Sequence, residues 1–594
     1  MNKIIEINNL LKEFQSGNKE KSYKKLLQIL AIEKENLLLR FNIAVIEQQL
    51  NLIDEAKLNY EYILRKQDNI KAMVNLYNLN IKEEKFEKTL IIINKILTIN
   101  NDLEFVSRDK AFVLLKLGKI EECRLICNYF LSKNKNDLDI LNIFGLTYLV
   151  ENKFDESYKI FEDILEQDSK NIKAINSLGR LYHEKRISHK AEEFYLKALN
   201  IKSDSYEILN NIAGFYREEG EYTKSIDYYL KAQKINKFNP NILINLAKSY
   251  FDLDDFRTSE KYALEAYNID KNNSEIQRIL AFIYLRKQDY KKGWLNHDGR
   301  LQTIKFRKEH NLNIKITRLI LTKKSLGKNN NLLIMREQGV GDEILYSSIY
   351  GDVLIDQSNI KIECDKRLID LYKRSFNKYE NKFFELGEIS TNDKELKKIN
   401  RVVFAGSLGQ FYRNSKSKFK KKPFLKADEK KIKEIKSFLN KYNKKFNIGI
   451  SWRSFKNRYS NEKSLSLINL KNVFEINNCN FINLQYGDVN SEIDEFSKKT
   501  GLDIITLPQI DLYNNFDDVA ALLKNLDLFL TVSNSTAHLA GALGIKTIVI
   551  KPSNHALFHY WNQSNDQTPW YNSIKLIDKH LLKYKNFAED LLTN

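Results

Sequence analysis

A repeat of 34 residues runs through the first half of the chain and restricts what this half can fold into. The small residues that mark the period are Gly145, Gly179, Ala213, Ala247 and Ala281. A tyrosine follows each of them by three positions, at Tyr148, Tyr182, Tyr216, Tyr250 and Tyr284. Self-similarity at such a fixed period predicts stacked helical hairpins, because each hairpin buries its apolar face only against its neighbours.

Further positions of the repeat identify its type. A second set of small residues stands 12 positions after the first, at Ser157, Ala191, Ser225, Ser259 and Gly293. Small side chains let paired helices approach closely, and aromatic rings fill the space to the next pair. The pattern resembles the tetratricopeptide signature, and it predicts an α solenoid of about eight repeats over residues 1–300, with a degenerate first hairpin. Such a solenoid binds extended peptides or proteins on its concave face, so we expect a protein partner.

Charge and cysteine content exclude several other classes of function. The formal charge is +19, but the basic residues are mostly scattered lysines, and we expect no nucleic-acid partner. The four cysteines form no CxxC pair and no zinc set with the eight histidines, so no metal is predicted. Cys123 and Cys127 fall on core positions of their repeat, which favours buried packing thiols over redox chemistry.

The chain carries no sequence signal for export or membrane insertion. Met1–Phe14 includes acidic Glu6 within an amphipathic pattern and lacks a secretory apolar core. No stretch approaches the ~18 apolar residues that a transmembrane helix requires. We therefore expect a soluble, cytoplasmic protein without a transmembrane segment.

The pattern changes after residue 300. Residues 301–330 form a poorly patterned connector, and short apolar runs then alternate with amphipathic helices, which predicts an α/β region with parallel sheets. The predicted strands are Asn331–Glu337, Lys361–Asp365, Arg401–Ala405, Asn447–Trp452, Asn480–Tyr486, Leu502–Leu507, Asp527–Ser533 and Thr547–Lys551. A basic stretch from Lys416 to Lys445 separates two Rossmann-like halves, which we predict at residues 331–440 and 441–594.

The first candidate site follows the first strand of this region. Gly339 and Gly341 permit a tight turn from strand to helix, and the start of the helix offers backbone amides to a ligand. Asp342 follows directly. From spacing alone, the preferred interpretation of Asp342 is an aspartate that stabilises the helix N-terminus through the macrodipole.

The second candidate site follows the strand at Asp527–Ser533. Ser533, Asn534 and Ser535 place hydroxyl and amide groups at a helix N-terminus, where a diphosphate is well held. His538 lies one turn into this helix. The alternatives are a cap that satisfies its own hydrogen bonds and a buried histidine bonded to the backbone.

Two further strand ends carry polar side chains. Arg453 and Lys463 could neutralise a departing diphosphate without a metal ion, although solvated surface cations are the simpler interpretation of each alone. Gln485 and Asp488 follow the next strand and could bind a nucleoside base or ribose.

These segments together resemble the glycosyltransferase family that includes bacterial heptosyltransferases, and the whole chain is similar to bacterial proteins that fuse tetratricopeptide repeats to such a module, flagellin-modifying transferases among them. The shared segments are GVGDEILYSSI at Gly339, IECDKRLIDLYKRSF at Ile362, GSLGQFYR at Gly406, SWRS at Ser451, LQYGD at Leu484, STAHLAGALG at Ser535 and TPWYNSIKLI at Thr568. The resemblance covers roughly residues 331–577. The family differs at one point, since relatives often carry Asp-Thr where this chain has Ser533-Asn534.

The resemblance implies a fold of the GT-B type, with the acceptor on the first half and the nucleotide-sugar donor on the second. It also implies inverting transfer without an essential metal or other cofactor, with Asp342 as general base. Lys463 corresponds to the basic residue near the donor phosphates, and Ser533 to Ser535 with His538 correspond to the phosphate site. Donor identity does not transfer to this chain.

Three functions remain open on this basis. The leading hypothesis is transfer of a sugar from a nucleotide-sugar donor to a protein hydroxyl that the solenoid captures. The second is an interaction scaffold whose transferase fold is vestigial. The third is transfer to a lipopolysaccharide or polysaccharide acceptor, which leaves the long peptide-binding array unexplained.

Overall fold

The computed structural model divides into two compact units, Met1–Asn245 and Leu246–Asn594. It describes residues 2–237, 239–271, 273–303, 306, 314–320, 326–327, 330–337, 339–442, 444–454, 463–552, 559–561 and 566–583.

The first unit is built from helical hairpins, and consecutive helices of its described residues pair into seven of them. The helices are α1 (Asn2–Gln15), α2 (Lys19–Ile32), α3 (Leu37–Gln49), α4 (Ile53–Lys66), α5 (Ile70–Lys82), α6 (Phe86–Ile99), α7 (Glu104–Lys116), α8 (Ile120–Lys133), α9 (Leu138–Val150), α10 (Phe154–Gln167), α11 (Ile172–Glu184), α12 (Ser188–Ile201), α13 (Tyr206–Glu218) and α14 (Tyr222–Ile235). The predicted helical solenoid is thereby confirmed.

The small residues of the repeat lie where two helices of one hairpin come closest. A Cβ atom on Gly145 would stand 2.6 Å from the ring of Phe161, and one on Gly179 would stand 2.7 Å from the ring of Tyr195. The hydroxyl of Ser157 donates to the carbonyl of Gly145 at 2.9 Å. Close helix contact therefore explains why the sequence keeps small residues at both positions.

Cys123 and Cys127 are buried in the same type of contact. The thiol of Cys123 donates to the carbonyl of Ala111 at 3.2 Å, as Ser157 does to Gly145 at the equivalent place in the next hairpin. The prediction that both cysteines are packing residues is confirmed.

A ladder of polar side chains links successive hairpins of the first unit. Ser177 donates to Asn142 at 2.9 Å. Asn211 donates to Asn176, and Asn245 donates to Asn210, each at 3.1 Å. Because each bond joins the first helices of neighbouring hairpins, the ladder fixes how one hairpin stacks on the next.

The second unit begins within a further helical hairpin. Its helical part consists of α15 (Pro240–Asp252), which crosses the boundary, α16 (Phe256–Ile269), α17 (Ser274–Arg286) and the short α18 (Tyr290–His297). A 3-10 helix (Asp298–Gln302) and α19 (Ile314–Leu319) follow. The compact unit that holds the sheets thus starts inside the stretch that the repeat pattern assigns to the solenoid.

The first sheet of the second unit is parallel, with strand order β3-β2-β1-β4. Its strands are β1 (Leu332–Met335), β2 (Ile360–Cys364), β3 (Phe383–Glu385) and β4 (Arg401–Phe404). The helices around it are α20 (Val340–Ser347), α21 (Tyr350–Asp356), α22 (Ile369–Ser375), α23 (Asp393–Leu396) and α24 (Gly409–Tyr412), and α25 (Glu429–Leu439) leads to the second sheet.

The second sheet is also parallel, with strand order β6-β5-β7-β8-β9. Its strands are β5 (Phe446–Ser451), β6 (Cys479–Asn483), β7 (Leu528–Val532), β8 (Thr547–Ile550) and β9 (Ile574–Ile577). Its helices are α26 (Lys471–Phe474), α27 (Asn490–Thr500), α28 (Phe516–Leu523) and α29 (Ser535–Leu543). Two parallel sheets confirm the predicted α/β class.

One predicted strand is wrong. Residues 502–507 form only an isolated bridge, between Ile505 and Ile482 of β6. Ile505 makes two backbone hydrogen bonds there, but Pro508 lacks an N–H group, and the chain turns away from the strand. The short strand β3 and the last strand β9 were not predicted.

The two sheets share a hydrophobic core. Leu345 of α20, Leu523 of α28 and Leu539 of α29 belong to one continuous cluster of buried side chains. Ion pairs cross the same boundary, since Lys431 of α25 binds Asp518 of α28 at 2.6 Å. Arg374 of α22 likewise pairs with Asp517. These contacts hold the two sheets as parts of one packed body.

Candidate active site

The helices that follow β1 and β7 meet at their N-termini. A Cβ atom on Gly341, in the first turn of α20, would stand 3.2 Å from Cδ2 of His538 and 3.4 Å from Cα of Ser535. Both helices begin at the carboxyl end of a parallel strand, where ligands bind in open α/β sheets. The structure therefore brings together Gly341, Ser535 and His538, which the sequence placed in two separate candidate sites.

Asp342 is half-buried beside Gly341 and lies among buried tyrosines. Gly339, in extended backbone, is the N-cap residue of α20 and accepts the N–H of Glu343 at 2.9 Å. Burial raises the pKa of Tyr560 well above its usual value, and the Asp342 carboxylate, hydrogen-bonded to its hydroxyl, raises it further. Burial and the same carboxylate also raise the pKa of Tyr571. The hydroxyl groups of Tyr560 and Tyr571 near Asp342 are therefore protonated at physiological pH.

His538 is buried in an aromatic box. Its Nδ1 lies 3.2 Å from the hydroxyl of Tyr571, and its ring stacks on Trp561 with centroids 4.8 Å apart. Burial lowers the pKa of His538 to about 3, and the nearby charge of Lys463 contributes. The imidazole is consequently neutral at physiological pH, and Lys463 supplies a positive charge near it.

The side chains of Ser533 and Asn534 form hydrogen bonds with other residues of the protein. Ser533 accepts the indole N–H of Trp561 at 3.0 Å. The Asn534 carbonyl caps α29 by accepting the N–H of Ala537 at 3.0 Å, while its amide donates to Ser451 at 2.9 Å and to Thr531 at 3.2 Å. Asn534 therefore matches the alternative of a cap that satisfies its own hydrogen bonds.

Gln485 stabilises the loop after β5 through hydrogen bonds. Its Oε1 accepts hydrogen bonds from the hydroxyl of Ser451 at 3.1 Å and from the backbone N–H groups of Trp452 at 2.9 Å and Arg453 at 2.6 Å. The side chain is buried, and its amide donates to the carbonyl of Tyr486. Gln485 was expected to bind a nucleoside, but its Oε1 atom already accepts three hydrogen bonds from the protein.

Arg453 and Asp488 lie further out on neighbouring loops. Arg453 pairs with Glu492 of α27 at 2.9 Å, and Asp488 is exposed, with a carboxylate oxygen 3.4 Å from the N–H of Asn490. A partly exposed ion pair matches the alternative of a solvated surface cation for Arg453.

A buried carboxyl stands behind Asp342. Glu343 accepts the N–H of Asp365 at 3.0 Å and pairs with Arg336 at 3.2 Å. Burial raises its pKa to about 7, and Arg336 opposes this shift. Glu343 therefore changes its charge near neutral pH.

Sequence reasoning missed the residues around Asp342 that come from distant segments. Trp561 and Trp570 are buried and belong to a segment near the end of the chain. Tyr560 and Tyr571, which lie next to them in sequence, were not singled out, and residues 553–558 and 562–565 lie outside the described residues. Arg300 and Trp294 were missed as well, because their partners lie in loops far along the chain.

Metal-binding clusters and membrane-spanning helices are both absent from the described residues. Among the described residues, no group of three or more histidine, cysteine or acidic side chains is arranged to hold a metal ion. In the same part of the chain, no helix combines the length and apolarity needed to span a bilayer.

Comparisons with known proteins identify the repeats. The tetratricopeptide repeat family model matches residues 172–205 and 206–239. Protein FlbA of Caulobacter vibrioides is 28% identical over 267 residues, a match that covers 42% of this chain and only 43% of FlbA.

Solved structures of tetratricopeptide repeat proteins are also similar to the chain. One from Parabacteroides merdae has a TM-score of 0.30 at 16% identity, covering 44% of this chain and 98% of that protein. One from Thermus thermophilus has a TM-score of 0.27 at 16% identity, covering 31% of this chain and 97% of that protein. The family model and the observed hairpins together establish tetratricopeptide repeats in the N-terminal part of the chain.

Proposed function

We propose that this protein is an inverting glycosyltransferase that moves a sugar from a nucleotide-sugar donor to a protein hydroxyl captured by its repeats. The observation that carries the proposal is the meeting of two helix N-termini, each after a parallel strand, with Asp342 on one and the Ser535–His538 turn on the other. The GT-B-like resemblance of residues 331–577 supports the same function.

Asp342 supplies the base in this reaction. The acceptor hydroxyl oxygen forms a bond to the anomeric carbon, the bond between that carbon and the phosphate oxygen breaks, and the nucleoside diphosphate leaves with the bonding electrons. The hydroxyl proton passes to the Asp342 carboxylate. The hydrogen bond from Tyr560 orients that carboxylate, because the buried hydroxyl holds its own proton.

The start of α29 and Lys463 act on the leaving group. Backbone N–H groups at a helix N-terminus favour an anion, and a fixed lysine adds a full positive charge. Lys463 lies close enough to His538 to lower the pKa of that imidazole. Charge that develops on the departing diphosphate is therefore stabilised without a required metal ion.

The repeats supply the acceptor. Tetratricopeptide repeats bind proteins and peptides, and the chain joins them covalently to the α/β region. Capture of a polypeptide by the repeats raises its effective concentration at a site on the same chain.

An activity assay on the full-length protein tests this function. ADP-, UDP- and GDP-linked sugars are incubated with candidate acceptor polypeptides that contain serine and threonine, and nucleotide release and acceptor mass are measured. Asp342→Asn is expected to lower the rate by about 10²–10⁴-fold, the usual contribution of a general base. Asp370→Asn is the matched control, because Asp370 is an exposed carboxylate in the first turn of α22 and its loss should leave the rate unchanged.

The second candidate function is an interaction scaffold with a vestigial transferase fold. The internal hydrogen bonds of Ser533 and Asn534 favour it, as does the narrow space beside Gly341, where an added Cβ atom would already stand 3.4 Å from Cα of Ser535. Thermal denaturation with the same nucleotides separates the two candidates. A nucleotide at 100 times its dissociation constant stabilises a binding protein by about 2.7 kcal/mol, whereas a scaffold shows no shift and no donor-dependent release.

A further inference from the structure

The last helical hairpin is built into the α/β unit. Trp294 of α18 is 1% exposed, and its indole N–H donates to the carbonyl of Arg413 at 2.9 Å. Its ring lies against Gly409, where a Cβ atom would stand 2.5 Å from the ring. Edge-on contacts to Tyr346 of α20 and to Trp570 complete the packing. A helix of the repeat region therefore packs directly on the helix that carries Asp342.

Arg300 follows this hairpin and points into the same region. Its Nη2 lies 2.6 Å from Oε1 of Glu337 and 3.1 Å from the hydroxyl of Ser407. Its Nη1 lies 3.0 Å from Oδ1 of Asp298, which accepts the Ser407 hydroxyl as well. The Arg300 side chain is 12% exposed and that of Glu337 is 6% exposed. This ion pair is therefore largely shielded from water.

Glu337 joins the loops that follow β1 and β4. Its Oε1 accepts the backbone N–H of Gly406 at 2.7 Å as well as the guanidinium of Arg300. Any Cβ atom on Gly406 would come within 2.7 Å of Glu337 and 2.9 Å of Arg300, so a side chain there would force the network apart.

The network lies close to Asp342 in sequence and in space. Glu337 lies two residues before Gly339, which caps the helix that presents Asp342. Tyr346, four residues after Asp342, is within electrostatic reach of Glu337, Asp342 and Arg300. A shift of Glu337 would consequently displace the start of α20.

We propose that Arg300 is a positioning residue for the transfer reaction: it holds Glu337, and through Glu337 the turn at Gly339–Asp342, from the end of the repeat region. The inference rests on the proposed function of Asp342. A guanidinium suits this role because its planar fork binds several acceptors in fixed directions, which the single ammonium group of a lysine does not reproduce.

Two variants of the full-length protein test the proposal. Arg300→Lys keeps the positive charge but loses the planar guanidinium group. The double variant Arg300→Met with Glu337→Met removes both charges together, because a buried ion pair is often replaced by apolar side chains without loss of stability, whereas one lone buried charge is costly. Lys315→Met is the matched control, since Lys315 pairs with Asp393 in the same unit but is 59% exposed.

The first measurement is hydrogen exchange of the backbone amides of residues 339–347, which needs no substrate. We expect exchange about tenfold faster in both variants than in the wild-type protein and the control, because the opening of α20 is less restrained. Unchanged exchange in both Arg300 variants would overturn the proposal.

The second measurement is steady-state transfer with the donor found in the activity assay. We expect kcat to fall by about a hundredfold with KM for the donor within twofold, because misplacing a catalytic group by about 1 Å has an effect of this size. Equal kcat in variants and wild type would also overturn the proposal. If the wild-type protein transfers no sugar, the function proposed for Asp342 fails, and exchange alone then decides whether Arg300 fixes this turn.

Discussion

Contacts within the first unit and contacts within the α/β part of the second unit differ in the sequence separation of the residues that they join. In the hairpins of the first unit, Ser157 bonds to Gly145, 12 residues away. In the second unit, Glu337 bonds to Gly406 across 69 residues and Trp294 to Arg413 across 119. Local contacts let each hairpin depend mainly on its neighbours, whereas long-range contacts tie the loops around the candidate active site into one cooperative body.

The two regions can be followed separately in one sample. All four tryptophans of the chain lie in the second unit, at positions 294, 452, 561 and 570. Tryptophan fluorescence therefore reports on that unit, while the circular dichroism of helices is dominated by the repeats. This pair of signals separates a loss of stability in one region from a loss in the other.

Trp294→Ala should produce the largest effect, and it should affect the second unit. Removing a fully buried tryptophan lowers the free energy of unfolding by about 3–5 kcal/mol. The fluorescence transition of the remaining three tryptophans in urea should move to lower concentration, while the first-unit part of the circular dichroism transition stays in place.

The control for this prediction is Leu295→Ala, on the neighbouring position of α18. Leu295 is 62% exposed, so its removal should leave both transitions within about 0.5 kcal/mol. Equal shifts of both signals in Trp294→Ala would show that the two regions unfold together and would contradict their separate stability.

A pH dependence carried by Glu343 should come next in size. The pKa of this buried carboxyl is raised from 4.5 to about 7, so the folded state binds a proton that the unfolded state has released over this interval. The contribution of Glu343 to the free energy of unfolding of the second unit should therefore fall as pH rises from 4.5 to 7, by about 3 kcal/mol in total, and stay level above pH 7.

Glu343→Gln removes this titration. The difference in stability between the variant and the wild-type protein, measured by fluorescence from pH 4.5 to 8, should grow in favour of the variant up to pH 7. Parallel curves for the two proteins would contradict the assignment. The circular dichroism transition of the first unit should show no such difference.

Two glycines of the first unit should give the smallest effects, with opposite signs. Gly179→Ala places a methyl group 2.7 Å from the ring of Tyr195, and crowding outweighs the gain in helix propensity, for a net loss of about 1 kcal/mol. Gly214→Ala meets only the hydroxyl of Tyr229 at 3.4 Å and should stabilise α13 by about 0.5–1 kcal/mol.

Circular dichroism is the measurement for both glycine variants. Because the hairpins depend on local contacts, the fluorescence transition of the second unit should not move. A loss of stability in Gly214→Ala, or a gain in Gly179→Ala, would mean that the repeat period does not report helix contact.

The local contacts of the repeats were predictable from sequence, since a period of 34 residues places Gly145 and Gly179 at equivalent points. The parallel sheets were predictable as well, because apolar runs alternate with amphipathic helices. Polar residues that directly follow two apolar runs also predicted polar groups at the ends of β1 and β7. The resemblance gave Asp342 its proposed role.

The partners of individual side chains were not predictable. Gln485 looks like a ligand-binding residue in a strand-end loop, yet it bonds to Ser451, 34 residues earlier in the chain. Arg300 lies in a stretch without pattern and meets Glu337 37 residues later. The sequence alone carries no signal for such pairs, because each polar residue taken alone is compatible with a solvent-exposed position.

The position of Trp294 and Arg300 limits how proteins of this design can change in length. A repeat array lengthens or shortens by duplication or deletion of whole segments, and such changes are tolerated where a hairpin touches only other hairpins. Trp294 of α18 and Arg300 just after it also contact the loops after β4 and β1, so an insertion or deletion between α17 and Arg300 would disrupt the candidate active site. Natural variation in repeat number is expected upstream of α15, and an engineered fragment meant to retain the α/β region should begin no later than Pro240, the first residue of that helix.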